Sequence, residues 1–262
     1  MEHVFVISAY GISPYLEECI RSLENQTVPG KLLMCTSTPS EELKALAQAH
    51  QIPLFVREGT PSLKEDWNFC AKTAAEAGAE LLTIAHQDDV YLPGYAENVQ
   101  HAAAEDVSMI FTAAENIDAA GQKTGGRAEK VKRFLRWPLR TGLRKTKTGR
   151  RMALAFGNTI PCPACTYSLK HCLNPEGELF TSDRKFVIDW ETFADLAERE
   201  GRFAYVKTPG VQIRLHEGQE TARVMQDDTR LQEELLMMRR FHTKAGAKLL
   251  MHFYRRSSDI DR

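Results

Sequence analysis

Between residues 3 and 112 the chain alternates five short apolar runs with stretches of helical periodicity. No other feature limits its folding as strongly. His3 to Ala9 has strand character. Ser13 and Pro14 then read as the N-cap and first-turn proline of a helix whose buried face is Leu16, Ile20 and Leu23. Lys31 to Cys35 is a second strand. Thr38-Pro39-Ser40-Glu41 reads as a capping box opening the next helix. Ile52 to Val56 follows as a third strand, and Ser62 with Glu65 as a second box ahead of Trp67, Ala71 and Ala74. Leu81 to Ala85 and Val107 to Thr112 complete the set, with a helix starting near Pro93 between them. Strands separated by helices of this length imply a parallel α/β sheet. Ligands of such sheets bind beyond the carboxyl ends of the strands. The loops 9–12, 36–39 and 86–91 are therefore the first places to look for chemistry.

The second half is less regular. Asp118 to Gly126 reads as a turn, and Asn158 to Ser168 as turn followed by strand. Asp189 to Glu200 has helical spacing, Phe203 to Val206 and Val211 to Leu215 read as strands, and Asp228 to Phe241 as a helix. Residues 123–151 hold 12 Lys and Arg against one acid, Glu129, so this arm carries +11 on a chain whose net charge is −1. Three uses fit such an arm: a solvated helix face, a nucleic-acid contact, or adsorption to anionic lipid. Few stacking aromatics interleave the charges, which disfavours nucleic acid. FLRWPLRTGL mixes apolar residues with Arg as an interfacial segment does.

No stretch approaches the ~18 consecutive apolar residues of a membrane span. No secretory signal is expected, and the six cysteines are expected to be reduced, in a cytoplasmic protein. Cys162-x-x-Cys165 has zinc-like spacing, but the adjacent His171 and Cys172 suit tetrahedral ligation poorly.

Three constellations stand out. His86-Gln87-Asp88-Asp89 follows an apolar strand, where paired oxygen ligands suit Mg²⁺ or Mn²⁺ with a diphosphate. A polar loop ahead of the next helix is the plain alternative. Asp189 stands at the start of a helix, where it is either a general base facing a cleft or an N-cap. His216, at a strand end, is either a metal ligand or an ordinary polar residue.

SAYGISPYLEECIRSLENQT, SLKEDWNFCAKTAAEAGAELLTIAHQDDVYLP, GNTIPCPACTYSLK, DWETFADLAER and RLHEGQET, in that order, resemble an inverting family-2 glycosyltransferase over roughly residues 3–225. The resemblance implies a GT-A type α/β fold: a Rossmann-like, mostly parallel sheet flanked by helices, with a basic insertion and a C-terminal helix. It implies one domain over 1–262, with a nucleotide-sugar half (1–115), an acceptor and catalytic half (116–225) containing the arm, and a helical tail (226–262). Asp189 matches the catalytic base. Asp88 matches the second Asp of the metal-binding Asp-x-Asp, and His216 a His that can complete the metal site. Tyr10 falls where the family contacts the base, and Asn68 matches the Asn of the helix before the metal loop. His86, which replaces the first Asp, and Asp89 would orient the donor. Thr36 stands where the family carries an acidic pair after its second strand, so the base of the nucleotide stays open. The implied cofactor is Mn²⁺ or Mg²⁺. The implied partners are a nucleoside-diphosphate sugar and a saccharide or lipid-linked acceptor. The composition of 123–151 adds an anionic membrane surface as a candidate partner, and no nucleic acid is expected. Two rivals remain open: a metal-dependent nucleotidyltransferase, and a non-catalytic nucleotide-sugar or lipid-binding protein.

Overall fold

The computed structural model describes residues 1–125, 127–216 and 228–260. The first part follows the alternation in the sequence: β1 (His3–Ala9), α1 (Leu16–Glu24), β2 (Lys31–Thr36), α2 (Glu41–Ala49), β3 (Leu54–Val56), α3 (Leu63–Glu76) and β4 (Leu81–His86). Next come β5 (Val90–Tyr91), α4 (Tyr95–Ala102), β6 (Val107–Ile117), β7 (Lys123–Thr124), α5 (Arg127–Leu135) and α6 (Lys147–Leu154). The chain continues through β8 (Cys165–Ser168), the single turn α7 (Leu169–Cys172), α8 (Ile188–Glu198) and β9 (Arg202–Arg214). A helical pair, Asp228–Phe241 and Lys244–Ile260, follows.

The sheet order is β3-β2-β1-β4-β8-β6-β9-β5, with β7 on β6. β1 to β4 pair in parallel, β8 runs antiparallel between β4 and β6, and β9 is parallel to β6. The sheet is thus mostly parallel, and β1, β2, β4, β6 and β9 all end at the same edge. Alternate residues of β1 serve opposite faces. Val4 and Val6 pack with α3, α6, α8 and the C-terminal pair; Phe5 and Ile7 pack with α1, α2 and α4.

Several local expectations need correction. Ser13 does not cap α1 directly: the helix starts at Leu16 behind Tyr15, and Ser13 Oγ accepts from Tyr15 N–H at 3.1 Å. Ser40, not Thr38, caps α2, accepting from Leu43 N–H at 3.1 Å. Thr38 instead accepts from Gly11 N–H at 2.6 Å, tying two strand-end loops together. Ser62 stands at the N-cap of α3 without a side-chain bond.

β6 runs to Ile117, and the two short strands expected after residue 202 form one continuous β9. Their pairing slips between Thr112 and Ala114, which lets Pro209 sit at an irregularity rather than break the strand. Gly210 is required there: a Cβ would stand 2.6 Å from Thr112 Oγ1 and 2.7 Å from a Tyr95 ring carbon.

The basic arm is not a simple solvated face. Pro138 and Leu139 are buried, and Arg136 Nε donates to Thr159 O at 2.5 Å. The tail is likewise part of the body. Met237, Met238, Ala247 and Met251 join the core, and Arg240 pairs with Asp195 of α8 at 2.6 Å. Among the described residues no helix is long and apolar enough to cross a membrane.

Candidate active site

A cavity of about 510 Å³ opens beyond the carboxyl ends of β4, β6 and β9, against the first turn of α8. Asp88 and Asp189, 101 positions apart in the chain, both line it, together with His86 and Asn158. The parallel register of β1 and β4 places Ser8 beside His86, so the loops after both strands meet. Gln87 clamps them: its Oε1 accepts from Tyr10 N–H at 3.1 Å, and its Nε2 donates to Tyr10 O at 3.0 Å.

Asp88 is held from two sides. Ser13 donates to its Oδ1 at 2.5 Å, and His216 Nε2 stands 3.2 Å from its Oδ2. The His216 contact lacks hydrogen-bond alignment, so this buried nitrogen is unsatisfied. Cis ligands of an octahedral ion with bonds of about 2.1 Å stand roughly 3 Å apart. One carboxylate oxygen and one imidazole nitrogen without a partner among the described residues, at that separation, fit two ligands of a divalent cation. Among the described residues no three His, Cys, Asp or Glu side chains form a metal cluster, so the described residues offer two ligands, Asp88 and His216. Of the segment RLHEGQET only residues 214–216 belong to the described part; Glu217 to Thr221 lie outside it.

Arg214 braces the metal loop. Its N–H donates to Asp89 Oδ1 at 2.9 Å, its Nε to Asp88 O at 3.1 Å and an Nη to Glu18 at 2.5 Å, while its guanidinium lies 4.4 Å from the Tyr15 ring centre. Asp89 lines the cavity and also has a structural role. It is buried, and its carboxylate fastens the metal loop to the end of β9. Desolvation pushes its carboxyl up to about 7, against the pull of the Arg214 N–H. His86 stacks near Trp67 with ring centres 5.4 Å apart. Burial holds it down to about 4, so it is neutral near pH 7, with Nε2 unpartnered beside the cavity.

Asp189 opens α8. Asn158 Nδ2 donates to its Oδ2 at 2.6 Å, and the Trp190 N–H to its Oδ1 at 2.7 Å. Desolvation nonetheless raises its carboxyl to about 6. It is neither a plain N-cap nor an ion-paired surface acid: it borders the cavity, oriented by an amide from a distant loop.

The remaining expected positions divide. Tyr10 is 57% exposed and is not among the residues lining the cavity; Gln87 holds its backbone and leaves its ring exposed. Thr36 is buried at the end of β2, and its hydroxyl accepts from Thr38 N–H at 3.0 Å, so it shapes a loop rather than facing the cavity. Asn68 is a correction. Its Nδ2 donates to Phe180 O at 2.7 Å, and its Oδ1 accepts from Leu179 and Phe180 N–H. The amide is used up in pinning that segment and does not line the cavity.

Sequence reading missed Ser13, Arg214 and Asn158 as site residues. Arg214 and Asn158 lie inside segments that carry the resemblance, but no spacing rule marks them. A carboxylate is also present beside β2 after all. Asp66 reaches from α3 to accept from Ser37 Oγ at 2.9 Å and from Arg57 Nε at 2.7 Å.

No family model matches the chain, and no curated protein matches it. Solved structures do. S. aureus TarS 1-349 matches with a TM-score of 0.61 and 11% identity, over 96% of this chain and 69% of that one. The fold is that of the GT-A glycosyltransferases. The mannosyltransferase PcManGT from Pyrobaculum calidifontis, solved with GDP-Man and Mn²⁺, shares the GT-A fold at a TM-score of 0.59 and 14% identity, over 96% of this chain and 70% of that one. Glucosyl-3-phosphoglycerate synthase from Mycobacterium tuberculosis, with Mn²⁺ and UDP-Glc, matches at 0.52 and 13%, over 90% and 78%. The chain spans 42% of the longer TarS structure.

Proposed function

We propose that this chain transfers a sugar from a nucleoside-diphosphate sugar to an acceptor hydroxyl, with inversion, in the synthesis of a polysaccharide or glycoconjugate. One observation carries the reading: on a GT-A fold, Asp88, whose Oδ2 stands 3.2 Å from His216 Nε2, and Asp189, held by Asn158, line the same cavity. The relatives of the same fold solved with UDP-GlcNAc, GDP-Man and UDP-Glc support a nucleotide-sugar donor.

Asp189 takes the acceptor proton as the acceptor oxygen bonds to the anomeric carbon and the bond from that carbon to the diphosphate breaks. A carboxyl near 6 is mostly ionised at pH 7 yet more basic than an exposed aspartate, which suits it to accept a proton. A single displacement needs no second carboxylate as nucleophile. Asp88 Oδ2 and His216 Nε2 would hold Mn²⁺ or Mg²⁺, which when bound supplies positive charge to the departing diphosphate. Neutral His86 offers its unpartnered Nε2 to the donor, and Tyr10 offers its exposed ring to the base. Residues 1–115 serve as the nucleotide half and 116–225 as the acceptor half.

The test is a thermal-shift screen of nucleoside diphosphates and their sugars with Mn²⁺, Mg²⁺ or EDTA. A ligand at 100 times its Kd adds about 2.7 kcal/mol, which shows as a rise of roughly 5–10 °C. Asp88→Ala should weaken binding of the best nucleoside diphosphate in Mn²⁺ by on the order of 10-fold or more, and His216→Ala by less. Binding and turnover that are unaffected by EDTA would sink the metal role of both. Release of pyrophosphate instead of a nucleoside diphosphate would identify a nucleotidyltransferase.

The arm supports contact with an anionic bilayer, and with it a peripheral position at a membrane. Phe134 is 71% and Trp137 43% exposed, beside the exposed Lys132, Arg133 and Arg140. Each basic residue near an anionic surface contributes about 1 kcal/mol, and Trp suits the headgroup region. Sedimentation with phosphatidylglycerol vesicles should occur at low salt and decline at high salt. It should fall sharply in an Arg133→Gln, Phe134→Ser, Arg140→Gln variant. The buried Arg136 is left untouched, because it belongs to the fold. Failure to sediment at low salt rejects the membrane contact and leaves sugar transfer standing.

A further inference from the structure

The cavity has two walls of opposite character. Asp88 and Asp89 lie on the metal-loop side, where Arg214 engages both. On the Asp189 side four basic residues from three elements line the same space: Lys132, Arg136, Lys185 and Arg230. Arg136 N–H donates to Lys132 O at 3.1 Å, so the two stand one helical turn apart on one face. Lys185 precedes Asp189 by four residues in the approach to α8. Arg230 is neutralised by Glu234, Nε to Oε1 at 3.0 Å. Lys132 and Lys185 form no ion pair among the described residues. Arg136 is buried and belongs to the fold, with its Nε bonded to Thr159 O and its guanidinium 5.9 Å from the Tyr205 ring centre.

Two acids stand on this wall, Asp189 and Glu234; Glu234 is paired with Arg230, which leaves Lys132 and Lys185 as surplus positive charge beside Asp189. The Lys132 charge reaches Asp189 and opposes the rise in its carboxyl. A base that must accept a proton is made weaker by such neighbours, so their presence runs against the needs of a neutral acceptor. Charge brought in by the acceptor removes the conflict: an anion seated on the lysines screens them and leaves Asp189 the stronger base. A phosphoryl group, with two negative charges and several acceptor oxygens, matches the two ammonium groups.

We propose that the acceptor is an alcohol bearing a phosphoryl group, held by Lys132 and Lys185 so that its hydroxyl faces Asp189. This rests on the sugar-transfer reading of the same site. The anion-binding part can be measured without any donor.

The experiment is calorimetric titration of the whole chain with glycerol 3-phosphate, and with glycerol as the uncharged control, at low salt in EDTA. EDTA keeps the Asp88 side free of metal. Glycerol 3-phosphate should bind at least 10-fold more tightly than glycerol, and its affinity should fall with added salt. A Lys132→Gln, Lys185→Gln variant should lose on the order of 10-fold or more, as expected for charge-assisted hydrogen bonds. Both lysines are exposed, and a circular-dichroism melt checks that the variant remains folded. A second arm adds phosphatidylglycerol vesicles as competitor. Displacement of glycerol 3-phosphate assigns the phosphoryl group to a lipid headgroup, and its retention assigns it to a soluble acceptor; either supports the site. Equal binding of glycerol, or unchanged binding by the double variant, overturns it. So does competition by uridine diphosphate in EDTA, which would put the lysines on the donor's leaving group. If glycerol 3-phosphate binds as expected but no nucleotide sugar is consumed with Mn²⁺, the transfer reading fails while the anion site stands.

Discussion

Asp189→Asn should lower sugar transfer by on the order of 10²–10⁴-fold, the usual contribution of a general base. Asn keeps the size of Asp and can still accept from Asn158 Nδ2, so the cavity wall should hold its shape. Nucleoside diphosphate binding with Mn²⁺ should persist, because it depends on the Asp88 side. The parent's rate should rise with pH through about 6, where the Asp189 carboxyl loses its proton, and the variant should lack that limb. The same shift makes a statement about stability. The folded carboxyl titrates near 6 and the unfolded one near 3.8, so the native state holds its proton longer. Stability falls as pH rises from about 4 to 6, and the full penalty is present above 6. Asp189→Asn should therefore melt higher than the parent at pH 8, by on the order of 2 kcal/mol, and no higher at pH 4. A variant that transfers sugar at the parent's rate removes Asp189 from the chemistry. Equal melting of the two proteins at pH 8 removes the strain assigned to its burial.

Arg150→Ala should be the most damaging change outside the cavity. Arg150 belongs to the basic arm, yet it is 2% exposed. Its Nε donates to Ala197 O at 3.1 Å, its Nη2 to Arg199 O at 2.8 Å and its Nη1 to Gly201 O. The guanidinium thus satisfies carbonyls at the end of α8, where a cation also complements the helix dipole. Its removal leaves three buried carbonyls unpaired and a hollow near Phe203, whose ring centre is 5.7 Å away. The expected loss is roughly 3–5 kcal/mol, or on the order of 10 °C in Tm for a chain of this length. Arg150→Lys should recover part of it, since one ammonium reaches fewer of the carbonyls. Because α8 carries Asp189 at its other end, activity should be lost in step with folded protein, and the pH profile of the remainder should be unchanged. A melting point within 2 °C of the parent would mean that the arm does not cap α8.

The parallel core was legible from residue order alone. Runs such as His3–Ala9 and Leu81–His86 are mostly apolar on both faces because both faces of those strands are covered. A fully buried strand leaves that signature whatever its partner. The loops after β1 and β4 were legible for the same reason, since the polar residues at their ends have only the sheet edge to occupy. The pairing of Asp88 with His216, and of Asp189 with Asn158, could not be read so directly. Their elements meet only when β9 lies beside β6 and α8 packs over β8 and β6, and no local periodicity records that. The extension of β6 to Ile117 and the continuity of β9 through Pro209 also depend on each other, because the polar halves of the two strands pair along their length from Ala113 to Ile117.

Charge was the least legible property. Along the chain, residues 123–151 are one undivided basic segment. In the folded protein the same charges have separate places: Arg150 caps a helix inside the core, Arg136 sits at 1% exposure under the cavity, and Arg133 and Arg140 face solvent. Sequence determined how many charges there are and what each can bond. Only tertiary structure decided which carbonyls, which cavity and which water they meet, because a long cationic side chain takes its energy from partners that the sequence holds far away.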